Sequence, residues 1–303
     1  MPDLPRRALG RTGLEVTTLG YGAMELRSGV SDADASRILN AVLDAGINFI
    51  DTSIDYGKSE DLIGKHLANR RAEYFLASKC GCVPGGSGEH VHTAANIRAG
   101  VENSLRLLKT DHLDLVQFHR SLTQKEFEGQ GALQEALKLK EEGKVRFIGV
   151  SGTLPNLEEQ IDMGVFDAFQ IPYSALQRDH EDVIARASEA GAGIIIRGGV
   201  ARGAPTDWRN RRYYMVTSDD LQHRWDEGHL DDLLDGMTRM EFMLRFTLSD
   251  PNLDTTIVGT KNPDHLQENV DAAAKGPLPA NVVEEAKSRL AAAGSVPAPR
   301  IRA

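Results

Sequence analysis

The sequence has few cysteines, few aromatic residues and no long apolar run. Of its 303 residues, 2 are cysteines and 6% are aromatic. Cys80 and Cys82 stand too close together for an unstrained disulfide, and two thiols are too few for a structural zinc site. No stretch approaches the roughly 18 uncharged residues that a membrane span needs. We therefore expect neither a disulfide-stabilised fold nor a membrane protein, and the cysteine usage favours the cytoplasm.

Basic residues are outnumbered by acidic ones. The chain has 35 Lys and Arg against 44 Asp and Glu, which gives a formal net charge of −9. A surface with this balance repels a phosphate backbone, so nucleic acid is not expected as a partner. The segment from Met1 to Arg7 lacks the apolar core of a signal peptide. The hydrophobic fraction, 41%, is ordinary for a globular protein with a sizeable core.

Short apolar runs alternate with longer segments of helical periodicity. Several of the runs are continuously apolar, as strands that are covered on both faces tend to be. Alternation predicts parallel βα units, and eight strands favour one (β/α)8 TIM barrel domain over 1–303. Neither half has the glycine spacing of a Rossmann dinucleotide site. The predicted strands are 18–21, 48–51, 74–78, 113–118, 146–150, 168–171, 193–196 and 255–258.

Two segments fall outside this alternation. Residues 9–16, which contain Gly10 and Gly13, predict a short N-terminal β-hairpin that closes the bottom of the barrel. A long loop from Arg197 to about Gly228 follows the seventh strand, on the side where barrels usually bind ligands. We expect the tail 294–303 to be frayed. The predicted helices are about 31–45, 59–70, 94–109, 123–142, 155–163, 178–190 and 229–249.

Four ionisable residues stand at or beside the ends of successive predicted strands: Asp51, Tyr56, Lys79 and His119. In a parallel barrel these ends open into one mouth. Each residue also has a purely structural explanation. In the same order, these are a helix cap, a half-buried loop aromatic, a surface lysine and a core histidine. Their coincidence nevertheless favours a site. A nearby ammonium and imidazole would lower the pKa of Tyr56, which suits a general acid in carbonyl reduction.

The segments around these residues resemble the aldo-keto reductase family. Residues 48–53 and 56–60 are similar to the family's most specific motif, and residues 13–24 resemble its opening. The resemblance implies a (β/α)8 barrel that binds a nicotinamide dinucleotide without a Rossmann domain. The cofactor implied is NADPH, with NADH as an alternative. The resemblance also implies that the four ionisable residues form a catalytic tetrad, with Tyr56 as the proton donor.

The resemblance further implies contacts with the nicotinamide. Ser151 and Gln170 match residues that hold its carboxamide, although Gly152 stands where the family commonly has asparagine. Arg197 occupies the place of a tyrosine that stacks on the ring. A guanidinium can also stack on a flat ring, but it adds charge beside the reacting centre.

Contacts with the rest of the cofactor are predicted on two segments. Five arginines lie between Arg197 and Arg212 against the single acid Asp207, which points to an anion such as the pyrophosphate or to a solvated loop face. Lys261 resembles a partner of the adenosine 2′-phosphate, although His265 stands where some members have arginine. The predicted outer contacts are Gly199, Arg202, Gly259, Thr260, Lys261, Glu268 and Asn269.

A substrate pocket is predicted from residues around the mouth. Arg120 directly follows His119, and its charge suits an anionic or polar carbonyl compound. No metal site is predicted, because His90 and His92 lack further clustered ligands. The predicted pocket residues are Tyr21, Met24, Arg120, Trp208 and Tyr214.

The sequence thus predicts an NADPH-dependent reductase of aldehydes or ketones, a monomer or small homo-oligomer that acts on a small molecule. Two alternatives remain open. A Schiff-base lyase would use Lys79 as a nucleophile, and the proximity of Asp51 argues against it because the lysine must lose its charge. A non-catalytic sensor would bind the dinucleotide and report redox state to a partner protein, as channel-associated members of the family do.

Overall fold

Eight parallel strands close into a barrel. The computed structural model describes residues 3–85, 88–206 and 217–299. The barrel order is β10, β3, β4, β5, β6, β7, β8 and β9, and every neighbouring pair is parallel. The predicted fold class is confirmed. The barrel strands are β3 (Leu19–Gly22), β4 (Phe49–Asp51), β5 (Phe75–Cys80), β6 (Leu113–His119), β7 (Val145–Ser151), β8 (Ala168–Pro172), β9 (Gly193–Arg197) and β10 (Thr255–Val258).

The N-terminal hairpin closes the bottom of the barrel. Strands β1 (Arg6–Ala8) and β2 (Glu15–Thr17) pair antiparallel, so the hairpin extends further on both sides than the predicted 9–16. Gly10, at φ 47°, fits there because a Cβ would lie 2.3 Å from the Gly193 nitrogen. The residues that form the lower apolar cluster are Leu9, Leu14, Val16, Phe49, Ala77, Leu115, Ala168 and Ile195.

Helices cover the outside of the barrel, and their boundaries differ from prediction in several places. The predicted 123–142 is two helices, because Gly131 at φ 70° breaks it. The predicted 229–249 contains a short 3₁₀ helix at Leu230–Leu233 and an α-helix only from Arg239, after left-handed residues at Asp235 and Gly236. The helices are α1 (Asp32–Asp44), α2 (Ser59–Leu67), α3 (Ala94–Leu108), α4 (Gln124–Gly129), α5 (Ala132–Glu141), α6 (Leu157–Asp162), α7 (Glu181–Glu189), α8 (Ser218–Glu227), α9 (Arg239–Leu248), α10 (Pro263–Ala274) and α11 (Ala280–Ala292).

Two regions predicted to be irregular are ordered. Helix α8 lies in the long segment after the seventh barrel strand, and a capping box between Thr217 and Asp220 begins it. The start of the tail is packed, since Ser295 is 1% exposed and its hydroxyl donates to the Ala175 carbonyl at 3.1 Å. The expectation of fraying is therefore wrong for Ser295. Across the described ranges, no helix has the length and apolar character to cross a membrane.

A buried carboxylate joins the hairpin to the barrel. Oδ2 of Asp254 accepts hydrogen bonds from the backbone nitrogens of Ile194 at 2.8 Å and Gly10 at 3.1 Å. Burial raises the pKa of Asp254 to about 6, against the lowering effect of those bonds. The unfolded chain therefore loses this proton at a lower pH than the folded chain does.

Because the pKa of Asp254 is higher in the folded chain, the free energy of unfolding falls as the pH rises from about 4 to about 6. The loss is at most about 3 kcal/mol. We expect Asp254→Asn to remove this slope, because the amide keeps an acceptor for both nitrogens and does not titrate. Urea unfolding at a series of pH values measures the difference between variant and wild type. A difference that stays constant from pH 4 to pH 7 would show that Asp254 is not the titrating group.

Candidate active site

The alternation of side chains along the strands places a polar layer directly above the apolar one. Each polar residue stands two positions beyond an inward apolar residue on the same strand, so both point into the barrel. Polar side chains thus collect at the carboxyl ends, where the barrel opens. The successive pairs are Phe49 and Asp51, Ala77 and Lys79, Leu115 and Gln117, Ala168 and Gln170, and Ile195 and Arg197.

Asp51 and Lys79 form a buried ion pair. The Lys79 Nζ atom lies 2.6 Å from Asp51 Oδ2 and donates a second hydrogen bond to the Thr52 carbonyl at 2.9 Å. The other carboxylate oxygen accepts from the amide nitrogens of Gln117 and Gln170, each at 2.8 Å. Both charged residues are 1% exposed. The pair is therefore held by neutral donors on neighbouring strands, as a buried charge requires.

Gln117 belongs to this network, and the sequence analysis missed it. It stands two residues before His119 on β6 and is paired in register with Lys79 on β5. The period of two along the strand is the signal that could have identified it.

Tyr56 lies against the ammonium of Lys79. The Lys79 Nζ atom is 5.0 Å from the centre of the tyrosine ring, and the two side chains are hydrogen-bonded. Burial acts to lower the pKa of Lys79, but the charges of Asp51 and Tyr56 outweigh burial and raise it. Lys79 thus stays protonated beside the phenol, where its positive charge favours the phenolate.

His119 completes the predicted tetrad. Its ring meets that of Tyr56 edge to face, with 6.3 Å between centres. Burial and the charge of Lys79 lower the pKa of His119 despite an opposing hydrogen bond with Asp55. The imidazole is therefore neutral at neutral pH, with one N–H to donate. The structure brings all four predicted catalytic residues together at the mouth.

Four side chains of the types that bind metals, one of them His119 of the tetrad, also meet at the mouth. One potential ligand atom from each of Asp55, Cys82, His90 and His119 lies within 4.8 Å of the others. The expectation that His90 has no clustered ligands nearby is therefore wrong. His92 is not part of this group. No spacing along the chain points to the whole cluster, because its members come from three parts of the chain: the connection after β4, the connection after β5 and the end of β6.

A cleft of about 270 Å³ opens next to His119. Ser151, Gly152 and Arg197 line one side, and Arg120 lies at its exposed edge. The guanidinium of Arg197 donates to the Gly152 carbonyl at 3.3 Å, which links the ends of β9 and β7 across the cleft. Arg197 thus lines the cleft together with Ser151 and His119.

The donors and acceptors of the cleft fit a nicotinamide carboxamide. The Ser151 hydroxyl donates to the side-chain oxygen of Gln170 at 2.9 Å, and the Gln170 nitrogen uses one of its protons on Asp51. The second Gln170 proton and the lone pairs of the Ser151 hydroxyl remain to meet an amide. Ser151 and Gln170 together can therefore hold a carboxamide against the tetrad.

The remaining predicted cofactor residues follow the carboxyl ends of β9 and β10 or lie on α10. Gly199 fits closely, because a Cβ there would come within 2.6 Å of the Thr256 hydroxyl. Lys261 is exposed. Its Nζ atom lies close to Gly29, where an added Cβ would be 3.6 Å from it. Arg202 is exposed after the end of β9, Gly259 and Thr260 follow β10, and Glu268 and Asn269 lie on α10.

The predicted substrate residues are divided between several environments. Tyr21 is fully buried, and its hydroxyl donates to the Thr260 carbonyl at 2.8 Å, so it lies in the core instead of lining the cleft. Met24 is half-buried in a short 3₁₀ helix after β3. Arg120 lines the cleft. Trp208 and Tyr214 lie outside the described residues.

The fold and the mouth of the barrel place this protein among barrel oxidoreductases. The Aldo/keto reductase family model matches residues 18–290. The chain therefore belongs to the aldo/keto reductase family.

Known members of the family resemble it over nearly its whole length. An aldo-keto reductase from Bacillus halodurans, solved in its holo form, is 29% identical with a TM-score of 0.84 and covers 95% of this chain and 96% of its own. L-galactose dehydrogenase of Arabidopsis thaliana is 30% identical over 291 residues, which are 90% of this chain and 89% of that protein. An uncharacterised oxidoreductase of Bacillus subtilis is 27% identical over 283 residues, which are 88% of this chain and 90% of that protein.

Proposed function

We propose that this protein is an NADPH-dependent reductase of aldehydes or ketones in which Tyr56 is the general acid. The observation that carries the proposal is the hydrogen bond of Tyr56 to Lys79, which is in turn held by Asp51 at 2.6 Å. A charged lysine kept against a phenol lowers the cost of losing the phenolic proton. That is what a proton donor to a carbonyl oxygen requires at neutral pH.

The residues of the mouth have distinct tasks in this reaction. When bound, the nicotinamide supplies the hydride that reduces the carbonyl carbon. Tyr56 passes its hydroxyl proton to the carbonyl oxygen, and Lys79 stabilises the phenolate that remains. His119, neutral because its pKa is lowered, donates a hydrogen bond that orients the carbonyl group. Asp51 keeps Lys79 charged and in place.

Ser151 and Gln170 support binding of the carboxamide, and basic residues support binding of the phosphates. Arg202 and Lys261 are exposed on the loops after β9 and β10. Arg209, Arg211 and Arg212 of the arginine-rich segment lie outside the described residues. We infer that Lys261 contacts the 2′-phosphate, which favours NADPH over NADH.

The substrate class is inferred from the cleft and from two relatives. Arg120, Ser121 and Thr153 give the cleft a polar wall. L-galactose dehydrogenase and a 6-dehydroglucose reductase of Novosphingobium aromaticivorans, 36% identical over half of this chain, are named for sugar substrates. We infer a small, hydroxylated carbonyl compound. The cytoplasmic location and the monomeric or small homo-oligomeric state stay predictions.

The test is a single-turnover experiment. NADPH is bound to excess protein, a reactive aromatic aldehyde is added, and cofactor absorbance is followed. We expect oxidation of the bound cofactor. Tight binding of NADPH without turnover of any carbonyl compound, sugars included, would favour the sensor instead. The lyase requires a lysine that loses its charge, and the raised pKa of Lys79 argues against it. Borohydride trapping of a carbonyl compound on Lys79 would reveal a lyase.

Lys261→Ala tests the cofactor preference. Loss of a charge-assisted contact with the 2′-phosphate is worth about 1.5 to 3 kcal/mol, so we expect about 10-fold or more weaker binding of NADPH. NADH lacks that phosphate, and its affinity should stay the same. Fluorescence titration of both dinucleotides measures this. Lys275→Ala, at the end of α10 in a surface ion pair with Glu241, is the matched control. Equal weakening of NADPH and NADH would contradict the assignment of Lys261.

A further inference from the structure

We propose that Asp55, Cys82, His90 and His119 bind one zinc ion at the mouth of the barrel. The four potential ligand atoms are a carboxylate oxygen, a thiol sulfur and two imidazole nitrogens, all within 4.8 Å of one another. The site goes beyond the proposed reductase function and shares only His119 with the tetrad. The proposal rests on geometry and donor chemistry alone.

The distances between the ligand atoms match a tetrahedral ion. His90 Nε2 lies 3.0 Å and His119 Nδ1 lies 3.3 Å from Asp55 Oδ2, and the two nitrogens are 3.3 Å apart. Ligands at about 2.0 to 2.1 Å from a tetrahedral zinc are separated by about 3.3 Å. The three nitrogen and oxygen atoms therefore already stand close to the positions that zinc requires.

Cys82 supplies the fourth ligand with a small adjustment. Its Sγ lies 3.2 Å from His119 Nδ1. A zinc–sulfur bond of about 2.3 Å sets that separation near about 3.6 Å, so the sulfur would move outward by about 0.4 Å. The Ser53 hydroxyl lies near both ligand atoms, 3.7 Å from Sγ and 3.5 Å from His119 Nδ1.

The donor set favours zinc over the other common divalent ions. Magnesium and calcium prefer oxygen ligands, whereas thiolate and imidazole suit zinc. On zinc binding the Cys82 thiol releases its proton to solvent, and the resulting thiolate and Asp55 together carry two negative charges, which balance a divalent cation. With four protein ligands the ion has no open position, which is the arrangement of structural zinc sites.

The site joins the connection after β4, the connection after β5, in which Cys82 and His90 already pair as an antiparallel bridge, and the end of β6. Asp55 follows β4, Cys82 follows β5, His90 lies in the connection to α3, and His119 ends β6. Zinc would fasten these segments to one another at the edge of the cleft. Coordination through Nδ1 would also leave Nε2 as the protonated nitrogen of His119, because a metal-bound imidazole keeps its proton on the other nitrogen.

The test uses the purified full chain, stripped with a chelator and titrated with Zn²⁺ and Co²⁺. We expect one ion per chain, with a thiolate-to-cobalt charge-transfer band that shows sulfur coordination. Cys82→Ser and His90→Gln should each weaken zinc binding by at least about 10-fold. Mutating even a residue that only hydrogen-bonds to a metal ligand typically lowers the affinity for the metal by that factor. Cys82→Ser should also abolish the charge-transfer band.

The chain offers two matched controls. Cys80→Ser alters the other thiol, which is buried in β5 outside the cluster, and His92→Gln alters the histidine two positions beyond His90. Both controls should bind zinc and cobalt like the wild type. Absence of stoichiometric binding by the wild type would overturn the proposal and leave a hydrogen-bonded cluster. Equal losses of metal affinity in the variants and the controls would also overturn the proposal, because they would show that the ion binds adventitiously. Neither outcome affects the reductase, because metal content is measured without cofactor or substrate.

Discussion

Tyr56→Phe is expected to abolish carbonyl reduction while cofactor binding persists. The variant removes the hydroxyl that donates the proton, and general acid catalysis is worth about 10² to 10⁴ in rate. The ring itself remains, so its contact with the Lys79 ammonium, 5.0 Å from the ring centre, is preserved. Single-turnover oxidation of bound NADPH measures the rate, and fluorescence titration measures the affinity for the cofactor.

Tyr74→Phe is the matched control for this variant. Tyr74 is 4% exposed beside the start of β5, and its hydroxyl has no hydrogen-bond partner among the described residues. Removing that hydroxyl should leave the rate unchanged. If Tyr56→Phe retains most of the wild-type rate, Tyr56 is not the acid, and another donor at the mouth must protonate the carbonyl oxygen.

Lys79→Met is expected to cost both activity and stability. It removes the charge that favours the phenolate of Tyr56, and it leaves Asp51 as a buried carboxylate with only amide donors. Removing one partner of a buried ion pair costs about 3 to 5 kcal/mol, because the remaining charge is uncompensated. Urea unfolding measures the stability, and single-turnover oxidation measures the activity.

The double variant Asp51→Asn with Lys79→Met separates these two effects. It leaves no uncompensated charge, so we expect it to recover most of the lost stability. Activity should stay absent, because no ammonium faces Tyr56. A double variant as unstable as Lys79→Met would show that the buried carboxylate is not the cause of the instability. Recovery of activity in the double variant would exclude Lys79 from the reaction.

Much of the candidate site was predictable because strand ends in a parallel barrel share one mouth. Asp51, Lys79 and His119 lie at the ends of three predicted strands, and the closed barrel brings them together as expected. Ser151 and Gln170 are likewise bonded to each other across neighbouring strands. These positions depend only on the strand order and on the alternation of side chains, both of which the local pattern carries.

Other features depended on conformations that no local pattern carries. Tyr21 was predicted to line the substrate pocket because it stands at the end of the first barrel strand. Packing instead turns its hydroxyl toward the Thr260 carbonyl. Helix α8 is a different case, because it formed within a segment predicted to be a loop although the capping box of Thr217 and Asp220 is a local signal for it. For Tyr21, packing against the rest of the fold decided where the side chain lies.

The order of strands follows from the alternation of βα units along the sequence. The apolar lower layer and the polar upper layer follow from the period of two, which decides which side chains face inward. Only the tertiary structure brought Asp55, Cys82, His90 and His119 to one point. Their meeting depends on the paths of the connecting loops across the mouth, and those paths are set by long-range packing. A metal site of this kind is therefore invisible in the spacing of its ligands and evident only in their distances.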